Sequence, residues 1–265
     1  MLKARIFTLY PDFFPGYLGQ GIFGKALSEN KWKIDTVDIR EYAFDKHKTV
    51  DDTPYGGGEG MLMKADVLAK SIDKNVKDGE KIIYLSPKGK LFNHQLAKQL
   101  SQEKTINIIC GHFEGVDERL LKTRNIEEVS IGDFVLSGGE GASFVILDAI
   151  LRFIPGILGN TNSAKEESFE NGLLEYPQFT KPQIWEEKSV PDVLLSGDHA
   201  KIKDWRLSQS EAITRDRRPD LWQLYKKTKD DKKSKSYKKS IELLRKLNDE
   251  KKKLAKEMDL SLIHI

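Results

Sequence analysis

Residues 107–140 read NIICGHFEGVDERLLKTRNIEEVSIGDFVLSGGE, and this stretch decides the fold. It holds two apolar runs, Asn107-Ile108-Ile109-Cys110 and Val129-Ser130-Ile131. Each stops at a glycine, Gly111 or Gly132, and passes into a loop of glycines and acidic side chains. In open α/β sheets ligands bind beyond the carboxyl ends of the strands, where glycine lets the backbone approach them closely. A third junction of the same kind lies upstream, where Ile82-Ile83-Tyr84-Leu85 runs into Ser86-Pro87-Lys88-Gly89. Three such junctions predict one small-molecule pocket.

Outward from this stretch, residues 1 to about 158 alternate strand-like apolar runs with amphipathic segments, the signature of an α/β layer fold. Residues 5–9 (RIFTL) and 34–39 (IDTVDI) read as strands, and residues 143–153 as a helix with Val145, Ile146, Ala149, Ile150 and Phe153 on one face. Pro155-Gly156 ends that helix. Residues 159–171 (GNTNSAKEESFEN) are polar and form a connector. Beyond Tyr176 the chain is punctuated by Pro177, Pro182 and Pro191, then turns helical over about 197–218. A last Lys-rich helix is expected over 236–258, with Ile241, Leu244, Leu247 and Leu254 as its apolar stripe.

The chain has 265 residues and a net charge of +3, which conceals an asymmetry. Residues 226–265 carry 14 Lys/Arg against 7 Asp/Glu, whereas the first 225 residues carry 30 against 34. A basic tail on a slightly acidic body suits a polyanion such as RNA, and a solvated Lys/Glu-rich helix equally well. No apolar run approaches the roughly 20 residues of a membrane span. The N-terminus lacks the pattern of a signal peptide. One cysteine, Cys110, excludes a disulfide framework and fits a reducing, cytoplasmic compartment. The five histidines show no metal-ligand spacing, so no metal site is expected.

Single motifs here are weak. The loop Tyr55-Gly56-Gly57-Gly58-Glu59-Gly60 lacks the Gly-Lys-Ser/Thr ending of a Walker A phosphate loop. Arg152 reads as a cation near a helix C-terminus, and Glu166 and Glu167 as solvated connector charges. His199, Trp205, Arg206, Arg215, Arg217 and Arg218 form a basic, aromatic-bearing helical region suited to RNA phosphates and bases.

Taken in order and spacing the segments are far more specific. FDKHKTVDDTPYGGGEGMLM, IIYLSPKGK, CGHFEGVDERL, SIGDFVLSGGE, LRFIPGILG, SFENGLLEYPQFTKP, VPDVLLSGDHAKIKDWR and RRPDL together make the chain resemble the TrmD family of bacterial tRNA (guanine-N1)-methyltransferases over its first 225 residues or so. The resemblance implies an α/β, SPOUT-type fold with a trefoil knot, and a small C-terminal helical domain. Residues 1–159 would be the knotted cofactor-binding domain, 160–175 a flexible linker, and 176–265 the helical tRNA-binding domain. It implies S-adenosylmethionine as cofactor and a transient Mg2+ near carboxylates such as Glu114 and Glu167. It also implies tRNA as substrate, methylated at N1 of guanine 37 when guanine precedes it. A homodimer would take the cofactor from one subunit and the linker and helical domain from the other, with the linker ordering only on tRNA.

Site residues carry over position by position. Cofactor contacts would come from Tyr84, Leu85, Ser86 and Pro87; from Gly111, Phe113 and Glu114; and from Ile131, Gly132, Phe134, Leu136, Gly138 and Gly139. Substrate contacts would come from Asp45, His47, Lys48, Tyr55, Gly57, Ser168, His199 and Arg206. The guanine N1 proton must be removed by a carboxylate and the charge growing on O6 held by a cation, roles that fall to Glu167 and Arg152. Three positions depart from the family. Glu167 stands where Asp is usual, with Glu166 beside it. His112-Phe113 replaces a common Arg-Tyr, and tolerance is expected there because cofactor contact relies on backbone. Gly141-Ala142-Ser143 replaces Leu-Pro-Ala, which should loosen the adjoining loop. Two alternatives remain: a ribose 2′-O-methyltransferase of the same fold, and a catalytically impaired RNA-binding protein that kept it.

Overall fold

A computed structural model describes residues 1–158 and 167–230. The chain divides into two compact units, Met1–Ala164 and Lys165–Ile265. The expected Lys-rich helix at 236–258, the connector's residues 159–166 and Glu166 lie outside the described residues.

In the first unit the elements run β1 (Leu2–Thr8), α1 (Gly21–Ser28), β2 (Trp32–Asp38), β3 (Asp51–Asp52), β4 (Leu62–Met63), α2 (Ala65–Asn75), β5 (Lys81–Leu91), α3 (His94–Leu100), β6 (Thr105–Ile109), α4 (Glu118–Thr123), β7 (Glu127–Ser130) and α5 (Glu140–Leu151). Five strands form one parallel sheet in the order β2-β1-β6-β5-β7, and β3 and β4 pair antiparallel on their own. Strand alternation divides the core by face. Ala4, Ile6, Ile83, Leu85, Ile106 and Ile108 pack with residues of α1, α3 and α5, including Ala26, Leu96, Leu147 and Ile150. Phe7, Ile82, Tyr84 and Ile109 pack instead with Val67, Leu68 and Ile72 of α2 and Leu120 of α4. Helices on both faces explain why these strands read as nearly continuous apolar runs.

Polar interruptions in those runs are satisfied. The Arg5 Nη1 donates to Glu80 Oε2 at 2.9 Å and to Asn107 Oδ1 at 2.7 Å, and Asn107 Nδ2 donates to the Lys81 carbonyl at 3.0 Å. Asn107 Nδ2 also donates to Glu80 Oε2 at 3.2 Å, so removing any one of these side chains takes a hydrogen bond from each of the others.

One expectation needs correction. Ser86-Pro87-Lys88-Gly89 is not a loop that ends its strand; it lies within the 11-residue β5. Leu85 and Lys90 both pair with Val129, so the intervening residues bulge out of the ladder before pairing resumes at Leu91 and Ser130. Gly89 is what permits this: a Cβ there would come within 2.3 Å of the Val129 backbone nitrogen.

The second unit holds the two-residue strands β8 (Ile184–Trp185) and β9 (Lys188–Ser189), then α6 (Asp192–Leu195) and α7 (His199–Arg217), with residues 219–230 again helical. Asp198 caps α7 by accepting from the Ala200 and Lys201 N–H groups, each at 3.1 Å. Residues 168–175, expected to be linker, are hydrogen-bonded within this unit. The Glu175 N–H donates to Ser168 Oγ at 2.9 Å and the Leu174 N–H to Thr214 Oγ1 of α7 at 2.8 Å.

Candidate active site

Because β6, β5 and β7 are neighbours in the sheet, the segments at and beyond their carboxyl ends meet. They enclose a cavity of about 470 Å³, lined by Tyr84–Lys88, Gly111–Val116, Ser130–Gly132 and Phe134–Gly139, with Leu62 and Ala142. That volume lies in the range of small-molecule sites. Tyr84, Leu85, Ser86, Pro87, Gly111, Phe113, Glu114, Ile131, Gly132, Phe134, Leu136, Gly138 and Gly139 are thus all brought around one space.

Close backbone approach shapes this cavity. Gly139 N–H donates to the Gly111 carbonyl at 3.0 Å, and a Cβ on Gly139 would stand 2.6 Å from Cys110 Cα. No larger residue fits between the β6 end and the start of α5. Tyr84 lines the cavity and is 7 % exposed. Burial, with the Glu128 charge adding to it, pushes its phenol up to about 12. Glu114 holds the rim: its N–H donates to the Met61 carbonyl at 2.9 Å, and its side chain lies against Gly60.

Sequence reading missed the most tightly connected part of the wall. His112 lines the cavity, and its Nε2 lies 3.0 and 2.9 Å from the two carboxylate oxygens of Glu140. Thr8 Oγ1 donates to Glu140 Oε1 at 2.5 Å. Glu140 is 5 % exposed. The expectation of tolerance at His112-Phe113 rested on backbone contact; the His112 side chain is engaged as well. Gly141-Ala142-Ser143 lie in the first turns of α5, where Ser143 Oγ donates to the Glu140 carbonyl at 2.7 Å and Ala142 is buried. A basic-capable residue and a carboxylate 28 positions apart gave no sequence signal that they would meet.

Of the substrate candidates in the first unit, Asp45 organises its own loop by accepting from His47 N–H at 2.8 Å and Thr49 N–H at 3.1 Å. His47, Lys48 and Gly57 are exposed, and Tyr55 is fully so. A second, wider depression of about 830 Å³ includes Tyr55, Lys64, Arg119 and Arg124, and shares Leu62 with the first cavity. Arg152 follows α5 as its C-cap, half-buried. In the second unit Glu167 and Ser168 are half-buried beside each other in sequence, His199 opens α7, and Arg206 lies 4.7 Å from the Tyr176 ring centre. Among the described residues no group of three or more His, Cys, Asp or Glu is gathered to hold a metal ion, and no helix is long and apolar enough to cross a membrane.

A parallel sheet covered on both faces, with a glycine-walled cavity at its carboxyl edge, defines the class: an α/β protein built to hold a small organic cofactor. The chain belongs to the tRNA (guanine-1)-methyltransferase TrmD family, whose model matches residues 2–224. It is 72% identical over 227 residues to a tRNA (guanine-N(1)-)-methyltransferase of Pelagibacter ubique (strain HTCC1062), covering 86% of this chain and 100% of that protein. A tRNA (guanine-N(1)-)-methyltransferase of Brucella canis (strain ATCC 23365 / NCTC 10854 / RM-666) is 53% identical over 226 residues, or 85% of this chain and 92% of that protein. Residues 225–265 lie beyond the family match.

Proposed function

We propose that this chain methylates N1 of guanine at tRNA position 37, next to a guanine at 36, using S-adenosylmethionine in the cytoplasm as a homodimer. The observation that carries the proposal is the 470 Å³ cavity formed by three adjacent strand ends in a chain of this family. The SPOUT-type trefoil knot belongs to the same reading, supported by family membership and the parallel order β2-β1-β6-β5-β7.

The residues present fit the cofactor. Gly111, Gly132 and Gly138 bring backbone to the cavity, Phe134 and Leu136 offer apolar surface, and Ser86 and Glu114 offer polar groups. Bound there, S-adenosylmethionine supplies a methyl group already activated on a sulfonium, so positioning is the protein's main task. Guanine N1 is protonated at neutral pH and a poor nucleophile. Glu167 accepts that proton as N1 takes the methyl, and Arg152 holds the charge developing on O6. The subunit arrangement would supply Glu167 from the partner of the subunit whose cavity is filled. Asp45, His47, Lys48, Tyr55, Gly57, Ser168, His199 and Arg206 are assigned to tRNA. Mg2+ would bind transiently at Glu114 or tRNA phosphates, since dedicated oxygen cages are not required for that ion.

The test is methyl incorporation from labelled S-adenosylmethionine into two unmodified tRNA transcripts, one with guanines at 36 and 37 and one with adenine at 37. Transfer to the first alone is expected, and Glu167→Ala and Arg152→Ala should each lower its rate by at least about 100-fold. Equal transfer to both transcripts, or none to the first, would refute the proposal. Unchanged rates in both variants would refute the residue roles.

A further inference from the structure

The cavity wall is held by a buried polar chain that none of the assigned contacts uses. Thr8 at the end of β1, His112 beyond β6 and Glu140 at the start of α5 are joined through the Glu140 carboxylate. Thr8 Oγ1 also accepts from the Tyr10 N–H at 2.9 Å, and the Tyr10 ring meets the His112 ring edge-on at 5.1 Å. The His112 backbone N–H donates to Met63 Sδ at 3.4 Å. The imidazole is thus held by the Glu140 carboxylate and the Tyr10 ring, and the backbone that carries it by Met63. It presses on Gly138: a Cβ there would stand 2.3 Å from His112 Cε1 and 2.7 Å from Glu140 Oε2. Gly138 and its neighbour Gly139 both line the cavity.

A nearly buried carboxylate is costly unless it is hydrogen-bonded or paired. Here His112 is the basic side chain that meets it, and Thr8 supplies a further donor. Removing His112 would leave Glu140 with one of its side-chain partners and Gly138 with open space where the ring stood. The wall from Gly138 to Gly139 could then move relative to Gly111.

We propose that His112 and Glu140 are positioning residues for the cofactor cavity, setting the place of Gly138 and Gly139 against Gly111. The proposal rests on the reading of this cavity as the S-adenosylmethionine site. Its effect is on cofactor affinity and not on tRNA affinity, because none of the residues assigned to tRNA belongs to the network. A guanidinium at position 112 would restore it, since it donates two parallel hydrogen bonds to a carboxylate.

The experiment uses the full chain. S-Adenosylmethionine and S-adenosylhomocysteine binding are measured by calorimetry, tRNA binding by filter retention, and folding by thermal unfolding, for wild type, His112→Ala, His112→Arg, Glu140→Gln and the double variant His112→Ala/Glu140→Gln. His112→Ala should weaken cofactor binding about 10- to 100-fold, as expected for losing a hydrogen bond to a buried charged group. Glu140→Gln keeps the volume and should act in the same direction even if His112→Ala folds poorly. His112→Arg should return to within about threefold of wild type, and the double variant should lose less than the two single effects combined. Wild-type protein that binds no S-adenosylmethionine would sink the cofactor reading itself. Wild type that binds it while both single variants bind equally well would overturn the positioning role alone. So would a lowered melting temperature with unchanged cofactor affinity, or equal weakening of tRNA and cofactor binding.

Discussion

Replacing Gly139 by alanine tests whether backbone contact sets the cavity. Gly139 has φ −77° and ψ −11°, which alanine adopts without strain, so any penalty must come from contact. The new Cβ would lie 2.6 Å from Cys110 Cα and 3.0 Å from the Gly111 nitrogen, both backbone atoms that no rotamer change can move. Reaching ordinary contact at 3.4 Å requires the two segments to separate by about 0.8 Å. That separation stretches the 3.0 Å Gly139-to-Gly111 hydrogen bond and shifts the N-terminus of α5. Overpacking of this kind costs about 1–3 kcal/mol, and a weakened hydrogen bond adds up to about 1 kcal/mol. For a domain of this size, the melting temperature should fall by about 5–10 °C. A site must be held within about 0.5 Å to work well, so S-adenosylmethionine affinity measured by calorimetry should drop at least about tenfold. Gly79→Ala is the control. Its φ of +81° makes alanine strained, yet nothing lies within 4 Å, so stability should fall by about 1–2 kcal/mol with cofactor affinity unchanged. A Gly139→Ala protein that binds the cofactor within about twofold of wild type would refute the claim that this contact shapes the cavity.

Other outcomes follow from the buried polar and titratable groups. Burial alone would raise the Glu80 carboxyl, but hydrogen bonds from Lys77, Asn107 and Arg5, with the Arg5 charge, bring it below its ordinary value. Its stabilisation is therefore complete above the ordinary carboxylate pKa and lost as pH falls through the lower folded value. Glu80→Gln should destabilise by on the order of 1 kcal/mol at pH 7, and denaturant titrations should show that gap closing in acid. Tyr84, with its phenol near 12 against an ordinary 10.0, contributes stability that is full below pH 10 and declines as pH rises through about 12. Burial raises Tyr17 and Tyr225 as well, so ultraviolet titration should show several late-ionising tyrosines, of which Tyr84→Phe removes one; loss of no late step would contradict its burial. Burial, and after it the Glu140 charge, raises the Cys110 thiol well above its usual range, against a lowering hydrogen bond with Ser143. Cys110 should resist alkylation at pH 8 in the folded protein and react after unfolding in guanidinium, so labelling of the native chain would contradict the packing described.

Much of the fold was legible along the chain because it rests on local periodicity and punctuation. Asn107-Ile108-Ile109-Cys110 announces a buried strand and Gly111 its end, at a position where a Cβ would stand 2.6 Å from the Tyr84 ring. Family resemblance, carried by strings such as SIGDFVLSGGE, identified the loops that enclose the cavity. What the chain order could not show was adjacency. Ser86–Gly89 looked like the end of a strand; only the return of Leu91 to β7 made it a bulge. His112, Glu140 and Thr8 each read as unremarkable polar residues, and their meeting depends on β1, β6 and α5 being packed side by side. Periodicity reports which face of an element is apolar, whereas the distance between residues 8, 112 and 140 is set by long-range strand pairing. Sequence alone thus determined the α/β class, the family and the loops that enclose the cavity; the tertiary structure decided which side chain meets which loop, because those meetings are contacts between segments far apart in the chain.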